Sequence, residues 1–172
     1  MMNRRHFLPL ALTAAGTRRA TAAAASSDKI TIALMGVRGR GKSLTAAFCA
    51  QPDVNVAYIC DVDENVVEDA FKIIERSGRK RPPLVADIRR CLDDKSVDAI
   101  VMGTPLHWHA PGTILACQAG KDVYVEKPAS HNIREGRLMT EAARRHSRIV
   151  QVGSQLPSLP VTQSFHDCVQ SG

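Results

Sequence analysis

A lysine that could carry a proton follows a short β-prone segment late in the chain. Residues 122–125 are rich in Val and Tyr and run directly into Glu126-Lys127-Pro128. Proline ends such a strand because its ring fixes φ and it has no N–H to donate, and an X–Pro bond can also be cis. In an open α/β sheet, ligands bind outside the carboxyl ends of strands. The pattern therefore predicts that Lys127 reaches a ligand, although the tripeptide alone also fits a surface lysine before an ordinary turn.

A glycine-rich loop, Gly36-Val-Arg-Gly-Arg-Gly41, could bind the pyrophosphate of a dinucleotide. Gly36 would make the tight turn, and Gly41 would allow close packing of helix against strand. Arg38 stands where glycine usually lets the backbone approach the pyrophosphate, and Gly39 beside it relieves the crowding. Asp61, about 20 residues further on, would accept hydrogen bonds from the adenosine ribose. An acid there favours NAD over NADP, because it repels a 2′-phosphate.

The same residues also satisfy the P-loop pattern, Gly36-x-x-x-x-Gly41-Lys42-Ser43. In that interpretation Lys42 reaches the β- and γ-phosphates and Ser43 binds Mg²⁺. The spacing to Asp61 and the residues after later strands favour the dinucleotide interpretation, and a glycine turn that binds nothing is a third alternative. Three basic residues of the loop argue more weakly for NADP: Arg38, Arg40 and Lys42.

Two histidines and the only tryptophan lie in a second candidate loop, Thr104-Pro-Leu-His-Trp-His109. Trp108 offers a flat apolar wall for a ring, and His109 offers a hydrogen-bond donor or acceptor near neutral pH. Alternatively, Trp108 is a core residue and the histidines cap the next helix, which is the preferred interpretation for His107. A zinc site would need a further ligand set that the sequence does not contain, so we expect no metal.

Composition argues against several classes of protein. The net charge is +6, but residues 1–25 hold four arginines and no acid, and the rest has 19 basic and 17 acidic residues. We therefore expect no nucleic-acid partner. No apolar run reaches the roughly 18 residues of a membrane span. The cysteines contain no Cys-x-x-Cys pair, so they predict core residues rather than a zinc site or disulfide framework: Cys49, Cys60, Cys91, Cys117 and Cys168.

Alternating strand and helix patterns would position these loops. Five strands are predicted, at 29–35, 54–60, 97–102, 122–125 and 149–152. Five helices are predicted between and after them, at 43–50, 65–76, 87–94, 111–119 and 134–146. Such alternation predicts an α/β fold with a doubly wound parallel sheet (Rossmann) and right-handed crossovers. We predict one domain at residues 28–153, and residues 154–172, with a possible helix at 161–170, would begin something else.

The first residues predict a targeting segment. Asn3-Arg-Arg-His-Phe-Leu8 resembles a twin-arginine export signal, an apolar stretch follows, and four alanines at 22–25 suit signal peptidase. Arg18 and Arg19, just past the apolar stretch, argue against membrane insertion. We predict a leader at residues 1–27 and export to the periplasm. The alternative is a disordered basic tail on a cytoplasmic protein.

Taken together, these features resemble the Gfo/Idh/MocA oxidoreductase family. The resemblance implies an NAD-binding Rossmann domain and then a larger, mostly antiparallel α/β domain that covers the substrate and mediates oligomerisation. Residues 154–172 would be only the start of that second domain, and a homo-oligomer is expected only where it is present. The segments that carry the resemblance are the glycine loop at 36–41, Asp61, the strand at 97–100, and residues 104–109, 120–128 and 150–155.

The resemblance also implies a reaction. Hydride would move between a carbon of a carbohydrate or polyol substrate and nicotinamide C4 of NAD. Lys127 would hydrogen-bond the reacting hydroxyl and help carry its proton, which a lysine can do when burial and a neighbouring positive charge lower the pKa of its ammonium. His109 would orient the substrate or the nicotinamide. Glu126 would hold Lys127 in place or face solvent. Cofactor contacts are expected from Gly36, Arg38, Gly39, Gly41, Asp61, Thr104, Pro105, Trp108, Glu126 and Lys127.

Three other functions remain open at this stage. An exported branch of the same family resembles glycosidases that keep NAD bound, oxidise the sugar transiently and reduce it again. A chain that lacks the substrate domain could also be a nucleotide-binding fragment without catalytic activity. The third is a P-loop NTPase. Whether these 172 residues alone form an enzyme is therefore left open.

Overall fold

The computed structural model describes residues 29–154 and 160–171, in which strands and helices alternate. The strands are β1 Ile30–Met35, β2 Val54–Cys60, β3 Leu84–Val85, β4 Ala99–Met102, β5 Asp122–Glu126 and β6 Val150–Gly153. The helices are α1 Arg40–Cys49, α2 Glu68–Arg76, α3 Arg89–Asp93, α4 His109–Gln118, α5 Ile133–Arg145 and α6 Pro160–Ser171. Short 3₁₀ helices occupy Glu64–Val66 and Leu106–Trp108.

The described strands form one parallel sheet in the order β3-β2-β1-β4-β5-β6. The chain order reverses between β1 and β4, which start the two halves of the sheet. This is the order of the dinucleotide-binding Rossmann fold, in which ligands bind beside that reversal at the carboxyl edge. The predicted doubly wound α/β fold is confirmed. The glycine loop after β1 and the loop after β4 therefore lie side by side at that edge.

Helices cover both faces of the sheet, so the central strands are buried on both sides. In β1, Ala33 and Met35 point into one core cluster, and Ile32 and Leu34 point into the other. The first cluster is completed by α3, α4 and α5, and the second by α1 and α2. Four of the five cysteines are buried, as predicted, whereas Cys168 on α6 is exposed.

Most predicted elements are present, with shifted ends. Helix α1 begins at Arg40, three residues before the predicted start, and therefore includes Gly41. Strand β4 begins at Ala99 instead of residue 97, because the N–H of Val97 bonds to Asp94 O at 3.2 Å. The two-residue strand β3 was not predicted. It follows the basic loop 79–83, in which the Arg79 guanidinium donates to the carbonyl oxygens of three residues: Cys49, Gln51 and Val54.

Two sequence predictions lie outside the described residues. These are the leader at 1–27 and part of the segment after 154. Within residues 29–154 and 160–171, no helix combines the length and apolar content that a membrane crossing requires.

Candidate functional site

The glycine loop and the loop after β4 touch through backbone atoms. A Cβ on Gly41 would lie 2.0 Å from Gly36 O, and a Cβ on Gly36 would lie 2.8 Å from the Thr104 Cα. Gly103, which the sequence analysis missed, has the same constraint, because its Cβ would lie 2.8 Å from the Gly41 Cα. Gly36 also has a φ of 75°, which favours glycine. Gly36, Gly41 and Gly103 thus form a backbone surface without side chains at the start of α1, the glycine cradle.

Gly39 occupies the N-cap position of α1, with a φ of 50°. A Cβ there would meet nothing within 4 Å, so its backbone conformation rather than crowding requires glycine. No acidic residue stands in the first turn of α1. The N–H groups of Gly41 and Lys42 donate to Arg38 O at 2.9 Å and to Gly39 O at 3.2 Å. The positive end of the helix dipole lies at the glycine loop, an arrangement that suits a phosphate.

The Asp61 carboxylate is fixed by two backbone donors. Its Oδ2 accepts from the N–H of Val37 at 2.9 Å, and its Oδ1 accepts from the N–H of Asp63 at 3.1 Å. These bonds tie the end of β2 to the glycine loop. Each carboxylate oxygen has a second lone pair, so Asp61 can still accept a ribose hydroxyl from the crevice.

A cavity of about 820 Å³ lies over the carboxyl ends of β1, β2 and β4. It brings together six of the predicted cofactor residues: Gly36, Arg38, Asp61, Thr104, Pro105 and Trp108. Trp108 is 40% exposed, so the alternative in which it belongs to the core is wrong. His107 lines the cavity as well, although the preferred interpretation of the sequence made it a helix cap.

Arg89 and Asp87 are among the cavity-wall residues that the sequence analysis missed. Arg89 donates from Nε to Asp87 Oδ2 at 2.9 Å, and this pairing lowers the pKa of Asp87 to about 2. An Asp two residues before an Arg at a helix start is a common surface pattern, so it gave no signal for a ligand site.

A dinucleotide fits the groups that surround this cavity. The glycine cradle has no side chain where a pyrophosphate would approach, and Asp61 can accept a ribose hydroxyl. Thr104 Oγ1 is buried and has no hydrogen-bond partner among the described residues. A buried hydroxyl without a partner is uncommon, and a polar ligand in the crevice would satisfy it.

His109 is buried, and its imidazole lies between two loops. Its Nδ1 is 2.7 Å from Pro128 O, and its Nε2 is 3.0 Å from Thr104 O. A neutral imidazole donates from one ring nitrogen only, so both contacts are hydrogen bonds only in the doubly protonated form. His109 thereby joins the loop after β4 to the loop after β5. A direct bond from His109 to substrate would replace one of these contacts, and that predicted role stays a prediction.

Lys127 follows β5 directly, with an exposed side chain and a cis bond to Pro128. Within the described part of the chain, its ammonium forms no ion pair. Lys127, Glu126, His109, Gly39 and Gly41 are not in the cavity lining. The structure thus places the predicted proton carrier on the next strand end, beside the cavity and not on its wall.

Glu126 is 4% exposed, so the alternative in which it faces solvent is wrong. Its Oε1 accepts from Arg40 Nε at 2.7 Å, and its Oε2 accepts from the backbone N–H of Lys127 at 3.2 Å. The hydrogen bond with Glu126 raises the pKa of the Arg40 guanidinium. Tyr124 Oη and Glu126 Oε1 lie 2.6 and 3.0 Å from the point where a Gly153 Cβ would stand. The sequence analysis missed this cluster, although an acid that ends a buried strand does call for a cation.

The P-loop interpretation does not fit this geometry. Lys42 Nζ lies 3.0 Å from Asp69 Oδ2 on α2, so it is directed to the neighbouring helix and not to the glycine loop. Ser43 is exposed on the surface of α1. In the described residues, no three His, Cys, Asp or Glu side chains are grouped to hold a metal ion.

Known proteins resemble this chain in sequence and in fold. The sequence model of the Gfo/Idh/MocA group, described as the oxidoreductase family with an NAD-binding Rossmann fold, matches residues 30–154. A glycosyl hydrolase family 109 protein of Shewanella pealeana is 26% identical over 170 residues, which are 84% of this chain and 37% of that protein. The chain therefore spans little more than a third of that relative.

Two solved structures share the fold. Myo-inositol 2-dehydrogenase from Lactobacillus plantarum aligns with a TM-score of 0.74 at 23% identity, over 84% of this chain and 42% of that one. GenD2 from gentamicin A biosynthesis, solved in complex with NAD, aligns with a TM-score of 0.68 at 24% identity, over 77% of this chain and 36% of that one. The family match covers the whole sheet, the glycine loop and the segment that carries Lys127. The chain therefore belongs to the Gfo/Idh/MocA oxidoreductase family, of which it contains the NAD(P)-binding Rossmann domain.

Proposed function

We propose that this chain is the cofactor-binding part of an NAD-dependent oxidoreductase that acts on a carbohydrate or polyol. The observation that carries the proposal is the glycine cradle, with Asp61 fixed beside it and Lys127 on a neighbouring strand end. Bound NAD would supply a hydride acceptor. The proposed organisation is a leader at 1–27, the cofactor domain at 28–153 and the start of a substrate domain at 154–172, which with its remainder would support a homo-oligomer.

In this proposal the cradle holds the dinucleotide by its backbone. The positive end of the α1 dipole would attract the pyrophosphate, helped by Arg38 in the cavity wall. Asp61 would accept the adenosine ribose hydroxyl and repel a 2′-phosphate, which supports NAD over NADP. Trp108 is half-exposed on the cavity wall and would pack against a ring.

As a neutral amine, Lys127 would accept the hydrogen bond of the substrate hydroxyl and take its proton. Its side chain is exposed beyond the end of β5 and forms no ion pair among the described residues, so it is available to a substrate. His109 would keep the two strand-end loops at a fixed separation, since its ring nitrogens lie 2.7 Å from Pro128 O and 3.0 Å from Thr104 O. Glu126 would position the backbone at Lys127 through its bond to the N–H.

A second candidate is an NAD-retaining glycosidase of the same family. The names of the relatives support it, since several are glycosyl hydrolase family 109 proteins. Net cofactor turnover separates the two reactions, because a dehydrogenase consumes NAD and a retaining glycosidase regenerates it. A fragment that binds a nucleotide without catalysis is the third candidate.

Calorimetry with three ligands tests the cofactor assignment. We expect the purified chain to bind NAD more tightly than NADP, and to bind ATP with Mg²⁺ more weakly than either. Binding of ATP–Mg²⁺ without binding of NAD would overturn the proposal and support the P-loop interpretation of the glycine loop.

A further inference from the structure

Two buried thiols meet where the end of β2 contacts α3. Cys60 is the last residue of β2 and pairs with Val85 of β3, after which a short loop leads into α3 and Cys91. The two cysteines are 3% and 0% exposed, lie in the same core cluster and share a side-chain hydrogen bond. The sheet thus brings together two thiols that are far apart in the sequence.

The position of Cys60 sets it apart from the other buried cysteines. Of the four buried cysteines in the described residues, only Cys60 lines the cavity proposed to hold the cofactor. Cys49 and Cys117 are not in the lining, and burial raises the pKa of both thiols, which makes them unreactive. A small reagent in the cavity can therefore reach one buried thiol that has a second thiol in contact with it.

The hydrogen bond suits the two thiols to different roles. The Cys91 S–H donates to Cys60 Sγ, which lowers the pKa of Cys60 and raises the pKa of Cys91. Burial and the nearby carboxylates of Asp61 and Asp87 oppose the shift at Cys60 without reversing it. Because the thiolate is the nucleophile in thiol–disulfide exchange, Cys60 is suited to attack an oxidant and Cys91 to resolve the product.

We propose that Cys60 and Cys91 form a redox-active dithiol in the wall of this cavity, which a small aliphatic disulfide oxidises to an internal disulfide when the cavity is empty. Cys60 gives its proton to water, attacks one sulfur of the oxidant and forms a mixed disulfide, and one thiolate leaves. That thiolate takes the Cys91 proton, and Cys91 attacks the Cys60 sulfur. The second thiolate leaves and takes a proton from water, so two electrons pass from the dithiol to the oxidant, which ends as two thiols.

The disulfide would also weaken cofactor binding. Its sulfurs must close to about 2.05 Å, which draws α3 toward the end of β2, and Asp61, proposed to bind the ribose, follows Cys60 directly. We expect the oxidised chain to bind NAD at least about 5-fold more weakly, which is the lower end of ordinary coupling between two sites. This coupling rests on the proposed function, whereas the dithiol itself does not.

The experiment treats the reduced 172-residue chain with hydroxyethyl disulfide, with and without NAD, and maps the cysteines by mass spectrometry under non-reducing conditions. Without NAD, a peptide pair joined through Cys60 and Cys91 should form while the circular dichroism of the folded chain is retained. With NAD at about ten times its Kd, the disulfide should form roughly 10-fold more slowly, because about one cavity in ten is empty. Titration calorimetry then compares NAD binding by the reduced and the oxidised chain.

Two variants separate the steps of the oxidation. Cys91→Ser should stop at the mixed disulfide on Cys60, and Cys60→Ser should leave Cys91 unmodified. Cys49→Ser is the matched control, a buried cysteine outside the cavity, and should form the disulfide as the wild type does. Exposed Cys168 is the internal control, and its modification should proceed at the same rate with and without NAD.

The outcomes distinguish the dithiol from the proposed function. Complete modification of Cys168 without a Cys60–Cys91 disulfide overturns the proposal, and this wild-type result decides even if a serine variant fails to fold. A disulfide that forms as fast in the NAD-loaded chain, or that leaves NAD affinity unchanged, overturns the link to the cavity. A disulfide that forms in a chain that binds no NAD overturns the proposed function and supports the dithiol.

Discussion

Asp61 accepts a hydrogen bond from the backbone N–H of Val37 at 2.9 Å, so the acid proposed to bind the ribose also fixes the glycine loop. The two roles belong to different oxygen lone pairs of one carboxylate. The fold itself therefore holds the loop in one conformation, which under the proposed function would reduce the ordering of the chain needed on binding.

Replacing Asp61 tests both roles together. Asp61→Ala should weaken NAD binding roughly 10-fold to 100-fold, because hydrogen bonds to a charged group contribute about 1.5–3 kcal/mol. It should also reduce the preference for NAD over NADP, since the repulsion of a 2′-phosphate is lost. Isothermal titration with both cofactors measures the two effects. Asp53→Ala, an exposed acid before β2, serves as the control and should bind as the wild type does. Equal losses in both variants would contradict the assignment.

Replacing Gly41 or Gly39 by alanine should lower the free energy of unfolding by very different amounts. A Cβ on Gly41 would lie 2.0 Å from a backbone oxygen, so Gly41→Ala must move the chain and should lower the free energy of unfolding by roughly 3 kcal/mol or more. Gly39 has open space and only a positive φ, so Gly39→Ala should lower it by about 1–2 kcal/mol. Urea unfolding compares the two variants. A larger effect at Gly39 would show that the cradle does not pack as described.

His109 and His107 form a second matched pair. His109 is buried and joins two loops, so His109→Ala should lower the free energy of unfolding by roughly 2–4 kcal/mol. His107 is exposed on the cavity wall, so His107→Ala should change it by no more than about 0.5 kcal/mol. Thermal unfolding followed by circular dichroism ranks them. If both variants unfold at the same temperature as the wild type, the contacts of His109 with the two loops do not stabilise the fold.

The sequence predicted the parts of this site that depend on local patterns. Gly36, Gly41 and Asp61 stand at fixed offsets along one βαβ unit, so their spacing alone indicated a cofactor crevice. Arg40 and Glu126 are separated by 86 residues, and only the sheet order brings them together. Gly103 is likewise constrained by a loop far away in the chain.

Strand β3 and the position of His109 were not predicted for other physical reasons. Strand β3 has only two residues, too few for an alternating pattern. Both ring nitrogens of His109 face carbonyl oxygens of residues 5 and 19 positions away. A histidine that bridges two loops and a histidine that faces a ligand look the same in one sequence.

Export is a separate prediction, on residues outside the described part of the chain. Arg4→Lys combined with Arg5→Lys should retain the protein in the cytoplasm, because twin-arginine signals depend on the arginine pair. Fractionation with a periplasmic marker measures this. Arg18→Lys combined with Arg19→Lys is the matched control and should leave export unchanged. A wild-type protein found wholly in the cytoplasm with its first residues intact would discard the leader.

Lys127 gives the last prediction. The side chain is exposed, so in a protein made of these 172 residues water would surround the proposed proton carrier. Catalysis of this kind depends on excluded water and fixed partners. Turnover of sugars or polyols should therefore be negligible even when NAD binds, and fusion to the second domain of a close relative should restore it.

Two variants of that fusion isolate the chemistry. Lys127→Ala should abolish turnover with little change in NAD affinity, because the side chain is not in the cavity lining. Lys127→Arg keeps the positive charge but cannot release a proton near neutral pH, so it should be inactive as well. Assays of NADH formation, and of sugar release without net NADH, separate the dehydrogenase from the retaining glycosidase. Turnover by the 172-residue chain alone at an ordinary enzymatic rate, about 1–1,000 s⁻¹, would show that Lys127 needs no covering domain.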